Sequence, residues 1–207
     1  MPHSSAFWDK IAERYSAKPV PDEAVYQEKL RVTREYLRPD MQALEIGCGT
    51  GSTALAHAPF VKHILATDIS PKMIEIARAK AAAEHVENVS FEVADTDELD
   101  VADQSLDIVL ALSVLHLVRD RDEVIAKVHR MLKQGGLFVT STACLGDTMK
   151  FMKLLGPIGR FFRLMPLVTV FTKQQLMDSL TKAGFAIDYQ WQPGKGKALF
   201  VVGKKAG

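Results

Sequence analysis

Three closely spaced glycines constrain this 207-residue chain more than any other feature. They follow an apolar run at residues 43–46 that one acid, Glu45, interrupts, and they are Gly47, Gly49 and Gly51. An apolar run stopped by glycines predicts a buried strand that turns sharply into a helix, which we expect to begin near Thr50 or Ser52. Because glycine allows positive φ and a close approach of the backbone to a ligand, the turn predicts a binding site.

The spacing of these glycines separates two kinds of nucleotide site. A dinucleotide fingerprint would need its third glycine at position 52, where the chain has Ser52, so a nicotinamide oxidoreductase is a weaker interpretation. An acid two residues before Gly-x-Gly-x-Gly, here Glu45, resembles motif I of the class I S-adenosylmethionine-dependent methyltransferases, of the small-molecule type. A plain tight turn is the alternative.

A second short apolar strand, at residues 64–67, ends at Asp68. Ser70 and Pro71 then supply an N-cap and a first-turn proline for a helix. The residues predicted for its inner face are Met73, Ile76 and Ala77. Ligands bind at the carboxyl edge of an open parallel sheet, where a carboxylate can accept hydrogen bonds from both ribose hydroxyls. The stretch Thr-Asp-Ile-Ser-Pro-Lys-Met also resembles the second motif of the family, which implies this role for Asp68.

A third strand is predicted at residues 89–93, which alternate and include β-branched side chains, and Asp95 follows it. In the family an acid at this place accepts a hydrogen bond from the adenine amino group, and the next residue, Thr96, lies alongside the ring. An ordinary loop acid is the alternative for Asp95.

Residues 106–112 form a nearly unbroken apolar run, as expected of a central strand covered on both faces. The residues from Ser113 to His116 resemble motif IV, which in the family runs beneath the methionine part of the cofactor. His116 could act as a base or could serve only as packing.

Near the N-terminus, Phe7, Ile11 and Tyr15 recur every four residues and predict an amphipathic helix over residues 5–17. A second helix is predicted over residues 22–37. In the family a similar Phe-Trp-Asp segment lies over the cofactor, with its tyrosine near the methionine end. Tyr15 could equally be a core aromatic.

The resemblance implies that S-adenosyl-L-methionine is the cofactor, that S-adenosyl-L-homocysteine is the product, and that no metal takes part. Glu45 is expected to order the glycine loop near the methionine amino group. The candidate catalytic residues are His116 and Tyr15. The implied cofactor-binding residues are Tyr15, Glu45, Gly47, Cys48, Gly49, Gly51, Asp68, Ile69, Met73, Asp95, Thr96, Leu112 and Ser113.

The second half of the chain continues the alternation of helices and strands. One helix is predicted to end at Gly135 and Gly136, before a strand at residues 137–142. Its predicted inner face is Val124, Val128, Met131 and Leu132. Thr172 and Gln175 form a predicted capping box for a helix that reaches Gly184.

Two late strands, near residues 186–190 and 198–202, have so short a connection that they must be antiparallel. The alternation fits the fold of the family: α/β, a Rossmann-like, doubly wound seven-stranded sheet, mostly parallel with one antiparallel strand, and helices on both faces. We expect a single methyltransferase domain over residues 1–207. Its segments are an N-terminal helical cap (1–38), a cofactor-binding core (40–143), a substrate lid after strand five (144–171) and a C-terminal helix and strand pair (172–207).

The predicted lid combines flexible, aromatic and basic side chains, and the chain has no acid from Thr148 to Met177. Such residues could enclose an irregular apolar acceptor, while the cations could hold an anionic group or, through residues 149–168, rest transiently on a membrane surface. A helical hairpin that completes the core is the alternative. The side chains are Met149, Lys150, Phe151, Met152, Lys153, Arg160, Phe161, Phe162, Arg163 and Met165.

Composition argues against several classes of function. The net charge of +1 provides no basic field for nucleic acid, and an Asn-Pro-Pro-Tyr motif after the fourth strand is absent. Cys48 and Cys144 have no zinc-like spacing and are predicted to be small buried thiols. No secretory signal pattern is visible, and the longest apolar run, at residues 108–118, is too short to span a bilayer, so we expect a cytoplasmic protein.

We therefore expect a methyltransferase that moves a methyl group to a small, apolar acceptor by direct displacement. A protein of a different class, which binds the cofactor without transferring its methyl group and acts as a sensor or partner subunit, is the alternative. The sequence leaves the oligomeric state open.

Overall fold

The computed structural model describes residues 2–148 and 166–206. The chain forms two compact units, Met1–Leu99 and Asp100–Gly207, which we describe in turn. Their strands make up one seven-stranded α/β sheet that is mostly parallel. The predicted fold class is confirmed, whereas the predicted division into cap, core, lid and C-terminal segments stays a prediction.

The first unit holds four helices and three parallel strands in the order β3-β2-β1. Its elements are α1 (Pro2–Ala17), α2 (Glu23–Tyr36), β1 (Gln42–Ile46), α3 (Ser52–His57), β2 (His63–Asp68), α4 (Pro71–Ala83) and β3 (Val89–Val93). Ile46 is in register with Thr67, and Asp68 with Val93. The parallel pairing therefore brings the carboxyl ends of all three strands to one edge, as the sequence predicts.

Two helices of this unit begin at capping side chains, of which the sequence predicted the one at Ser70. The Asp22 side chain accepts a hydrogen bond from the N–H of Val25 at the start of α2, and Ser70 does the same for Met73 at the start of α4. The prediction for α1 began too late, because the helix starts at Pro2 and proline is tolerated in a first turn.

The inner face of α4 differs in part from its prediction. Ile76 is only half-buried, and Ile74 is buried instead. The buried stripe is Met73, Ile74, Ala77 and Ala81. It follows positions i, i+1, i+4 and i+8 of one helical face, and the prediction placed Ile76 on this face where the structure has Ile74.

The second unit contains β4 (Leu106–Leu112), α5 (Arg121–Met131), β5 (Leu132–Thr142), α6 (Lys173–Lys182), β6 (Phe185–Trp191) and β7 (Leu199–Lys205). Its strand order is β4-β5-β7-β6. β4 and β5 are parallel, and β7 runs antiparallel to both β5 and β6. The predicted antiparallel pair is confirmed, and so is the capping box between Thr172 and Gln175.

The predicted boundary between α5 and β5 is wrong. Leu132 does not close the helix but opens the strand, where it pairs with Leu106, while Leu137 pairs with Ile108. Four residues on β5 therefore face a single residue on β4, and the two glycines lie inside this bulge. Glycine is common in such bulges as well as at helix ends. The prediction that Gly135 and Gly136 interrupt regular structure is therefore correct, but they interrupt β5 and do not end α5.

Most of the predicted lid, residues 149–165, lies outside the described residues. The residues on either side of this segment are hydrogen-bonded to each other. The N–H of Gly146 donates to the carbonyl of Phe171 at 2.8 Å, and the N–H of Lys173 donates to Asp147 Oδ2 at 2.8 Å. A Cβ on Gly146 would come within 2.6 Å of the Phe171 carbonyl carbon, so this crossing requires glycine.

Within residues 2–148 and 166–206, no helix combines the length and the apolar character that crossing a bilayer requires.

Candidate functional site

The glycine turn has the conformation that its sequence predicts. Gly47, Gly49 and Gly51 have φ of 67°, 54° and 79°. A Cβ on Gly51 would lie 2.8 Å from a ring carbon of Phe91, so this glycine lets the turn pack closely against β3. On Gly49 the nearest atom to such a Cβ would be Tyr15 Cε1, at 3.8 Å. The turn is therefore tightly packed at Gly51, whereas a Cβ at Gly49 would make only an ordinary contact with Tyr15.

Asp68, the last residue of β2, is held directly against this turn. The Gly49 N–H donates to Asp68 Oδ2 at 2.9 Å, and the Ser70 N–H donates to Oδ1 at 2.9 Å. Burial raises the pKa of Asp68, the N–H groups of Ser70 and Gly49 oppose this, and the charge of Asp9 adds to it. Both carboxylate oxygens are thus oriented before any ligand binds.

Glu45 lies on β1 and is 2% exposed. Burial, with the nearby charge of Asp68 as a second cause, raises its pKa to about 8, and a hydrogen bond from the N–H of Ala54 opposes the rise. Its Oε2 atom is buried and has no hydrogen-bond partner among the residues that the structure describes. Buried polar atoms in native proteins nearly always have a partner, so a ligand donor next to Glu45 is the simplest way to complete this site.

Tyr15, near the end of α1, lies beside the same turn but is 53% exposed, so it is not a core aromatic. Partial burial of the phenol raises its pKa, and the charges of Asp68 and Glu45 add to the rise. The hydroxyl therefore remains protonated at neutral pH and can donate a hydrogen bond.

The predicted buried thiols are confirmed, because Cys48 and Cys144 are both free and buried. The Cys48 thiol donates to the Gly49 carbonyl at 3.6 Å. Burial raises the pKa of both thiols, that of Cys144 to about 11, so neither is a reactive thiolate.

The remaining predicted residues of the first unit differ in location and in burial. Asp95 and Thr96 follow β3, where the Thr96 hydroxyl donates to Asp95 Oδ1 at 3.2 Å. The Ala94 N–H donates to the Asp68 carbonyl at 3.0 Å, which brings this loop beside the end of β2. Ile69 is half-buried, whereas Met73 is 1% exposed and packs in the core. A cofactor contact for each of these residues stays a prediction.

The second unit carries the other three predicted residues: Leu112 ends β4, and Ser113 and His116 follow it. Ser113 has a positive φ of 64°, and its N–H donates to the Ser141 carbonyl at 2.7 Å. A non-glycine residue held in this region is strained, and such strain clusters at functional sites.

His116 is half-buried, and its Nδ1 atom is buried without a hydrogen-bond partner among the described residues. Burial lowers its pKa to about 4. The imidazole is therefore neutral at physiological pH and retains one nitrogen lone pair that can accept a proton.

The sequence reasoning missed the role of Asp9. Its Oδ1 atom accepts a hydrogen bond from the Ser70 hydroxyl at 2.6 Å and another from the Lys72 N–H at 3.1 Å. The only signal in the sequence was its place in the Phe-Trp-Asp segment, which carries no information about the partner.

With this geometry in place, the chain can be compared with known proteins. A family model described as a methyltransferase domain matches residues 44–140, which contain the glycine turn, Asp68 and Asp95. Residues 44–140 therefore match a methyltransferase domain, and the chain resembles the class I S-adenosylmethionine-dependent methyltransferases.

Individual relatives agree with this assignment. The chain is 33% identical over 136 residues to the uncharacterized methyltransferase YcgJ of Bacillus subtilis, covering 64% of this chain and 52% of that protein. It is 40% identical over 126 residues to 27-O-demethylrifamycin SV methyltransferase of Amycolatopsis mediterranei, covering 59% of this chain and 43% of the relative. The chain thus spans about half, or less, of the length of these relatives.

Solved structures share the fold. The crystal structure of YcgJ superposes with a TM-score of 0.72 at 19% identity, covering 87% of this chain and 99% of that one. Geranyl diphosphate C-methyltransferase of Streptomyces coelicolor, solved with Mg²⁺, geranyl diphosphate and S-adenosyl-L-homocysteine, gives a TM-score of 0.72 at 14% identity, covering 89% of this chain and 79% of that one.

S-adenosyl-L-methionine is the cofactor of this methyltransferase domain. The residues present fit it, because Glu45 Oε2 is buried without a hydrogen-bond partner among the described residues, the Asp68 carboxylate is fixed at the strand end, and a Cβ at Gly49 would make only an ordinary contact. Among the described residues, no group of three His, Cys, Asp or Glu side chains could hold a metal ion.

Proposed function

We propose that the protein is a methyltransferase that moves a methyl group from S-adenosyl-L-methionine to a small, apolar acceptor by direct displacement. The observation that carries this proposal is the bond between the Gly49 N–H and Asp68 at 2.9 Å. It joins the glycine turn after β1 to the acid that ends β2, and so builds a carboxylate of fixed orientation beside an open turn.

The candidate site residues of the first unit then have separate roles in holding the cofactor. Asp68 accepts hydrogen bonds from the ribose hydroxyls, and Asp95 with Thr96 takes the adenine edge. Glu45 accepts from the methionine amino group through its unpartnered oxygen. Gly49 leaves room for the ligand backbone, and Tyr15 covers the methionine end of the site.

The chemical step makes few demands on the protein. When bound, S-adenosyl-L-methionine supplies a methyl group on a positively charged sulfur, so the leaving group is already activated. The chain therefore has to align the acceptor with that methyl group and exclude water. His116 is the candidate base if the acceptor must lose a proton, and its pKa, lowered to about 4, makes its neutral imidazole a weak base.

The acceptor class is inferred from the segment that follows β5. The methionines, phenylalanines and basic residues between 149 and 165 suit an apolar molecule with an anionic group. The relative from Amycolatopsis, at 40% identity, is named for a rifamycin acceptor, which supports a small organic substrate. The same basic residues support a transient contact with anionic lipid, which liposome flotation at low salt would detect.

The decisive experiment measures binding and transfer separately. Calorimetry with S-adenosyl-L-homocysteine tests the cofactor site, and no binding would contradict the proposal. Incubation with cofactor labelled on the methyl group, together with a mixture of apolar acids, phenols and lipids, tests transfer. Binding without transfer of label to any acceptor would instead favour the sensor or partner subunit.

A further inference from the structure

The N-terminal helix is fastened to the cofactor acid through one buried serine. Ser70 is 0% exposed. Its N–H donates to Asp68 at 2.9 Å, while its hydroxyl donates to Asp9 on α1 at 2.6 Å and accepts from the Met73 N–H at 3.1 Å. Ser70 is thus hydrogen-bonded to both Asp68 and Asp9. A movement of Asp9 would therefore displace Ser70, the residue that orients Asp68.

Asp9 also reaches the backbone of the next helix. Its Oδ1 atom accepts from the Lys72 N–H at 3.1 Å, in the first turn of α4, where backbone N–H groups have no partner within the helix. A negative charge is favoured at this helix end. Three residues further along α1, Ala12 is fully buried, and three further still Tyr15 lies beside Gly49. One helix therefore carries both the anchor and the residue that covers the turn.

We propose that Asp9 is a positioning residue: by fastening α1 to Ser70 and the start of α4, it holds Tyr15 beside the glycine turn and couples the docking of α1 to cofactor binding. This inference rests on the proposed cofactor site. Asp9 itself touches neither cofactor nor acceptor in this scheme. Its effect passes through Ser70 to Asp68 and along α1 to Tyr15.

Two measurements test the coupling. The first is the dissociation constant of S-adenosyl-L-homocysteine by calorimetry. The second is the rate of tryptic cleavage at Arg14, which is exposed and lies within α1, so its cleavage should become faster when that helix leaves its docked position. The chain has two tryptophans, so a Trp191→Phe background leaves Trp8, next to Asp9, as the sole fluorescent reporter of docking.

We expect Asp9→Ala to weaken binding of S-adenosyl-L-homocysteine about tenfold, because the loss of its hydrogen bonds to Ser70 and Lys72 weakens the docking of α1, to which binding is coupled. In the unaltered protein the ligand should slow cleavage at Arg14, and in Asp9→Ala this protection should disappear even at saturation, because coupling between two sites is reciprocal. Asp9→Asn keeps an acceptor oxygen and should restore part of both effects. Lys10→Ala, an exposed neighbour on the same helix, should change neither.

Equal affinity and equal protection in Asp9→Ala would overturn this inference alone. If that variant does not fold, the same comparison is made with Asp9→Asn, and an affinity equal to that of the unaltered protein would again overturn it. Absence of binding to the unaltered protein would overturn the proposed function, and this inference with it.

Discussion

The backbone N–H of Gly49 and the carboxylate of Asp68 meet at 2.9 Å, although Gly49 lies in the turn after β1 and Asp68 is the last residue of β2. The bond leaves the carboxylate oriented by the protein and not by the ligand. A preoriented acceptor of this kind lowers the entropy cost of binding.

Asp68→Ala should therefore weaken binding of S-adenosyl-L-homocysteine by about tenfold to a hundredfold, the range expected for hydrogen bonds to a charged group. Calorimetry gives the dissociation constant, and circular dichroism checks that the fold is retained. Asp40→Ala is the matched control, since the Asp40 side chain is 80% exposed and only pairs with Arg38. Unchanged affinity in Asp68→Ala would remove Asp68 from the site.

Gly51→Ala should destabilise the fold. The position has φ of 79°, and the new methyl group would lie 2.8 Å from Phe91 and 2.9 Å from Ala77. Left-handed backbone and overpacking together should lower the free energy of unfolding by about 2 to 4 kcal/mol, measured by urea denaturation.

Gly194→Ala provides the comparison for this variant. The nearest atom to a methyl group at Gly194 would be Lys197 Cγ at 3.8 Å, an ordinary contact. The free energy of unfolding should change by no more than about 0.5 kcal/mol. Equal effects at the two glycines would mean that the turn can relax around a side chain.

Glu45→Gln should change how stability depends on pH. The pKa of Glu45 rises from 4.5 to about 8 on folding, so the folded state binds more protons than the unfolded state between these values. The contribution of Glu45 to the free energy of unfolding therefore falls as pH rises through this window.

Glutamine does not titrate. The free energy of unfolding of Glu45→Gln should therefore rise relative to that of the unaltered protein as the pH increases from 4.5 to 8. Denaturation at a series of pH values measures it without interference from His57 and His116, whose pKa values are both lowered to about 4 and which titrate alike in the two proteins. A difference that stays constant with pH would show that Glu45 is ionised throughout.

Lys205→Met should destabilise the second unit, because the Lys205 ammonium group closes the end of α5. It donates to the carbonyls of His129 at 2.7 Å and Leu132 at 2.8 Å, and the residue is only 7% exposed. Loss of both bonds should lower the free energy of unfolding by about 2 kcal/mol. Lys204→Met, one residue earlier and exposed, should have little effect. A similar loss in both variants would argue against this capping role.

Local signals accounted for most of what the sequence predicted. The glycine turn, the Ser70 cap and the capping box at Thr172 each depend on residues within a few positions of one another, and each has the predicted structure. The fold class followed from the alternation of elements together with the resemblance to a family, and the same strand ends carry Asp68 and the loop with Asp95.

What the sequence could not predict depends on tertiary contacts. The hydrogen bond from Ser70 to Asp9 joins residues 61 positions apart, and Lys205 caps a helix 76 positions away. The misplaced end of α5 has the same origin, since the pairing of Leu132 with Leu106 decides that the strand begins there. Neither the unpartnered oxygen of Glu45 nor its raised pKa has a local signature, because both follow from burial.

The position of β7 between β5 and β6 has a consequence for biosynthesis. Because β7 follows both of its neighbours in the chain, the ribosome delivers β5 and β6 before the strand that joins them exists. Until then the edge of β5 that β7 will cover has unpaired backbone groups, a known route to aggregation. Variants that slow translation or truncate the chain near residue 199 should therefore be recovered from cells mainly as insoluble protein.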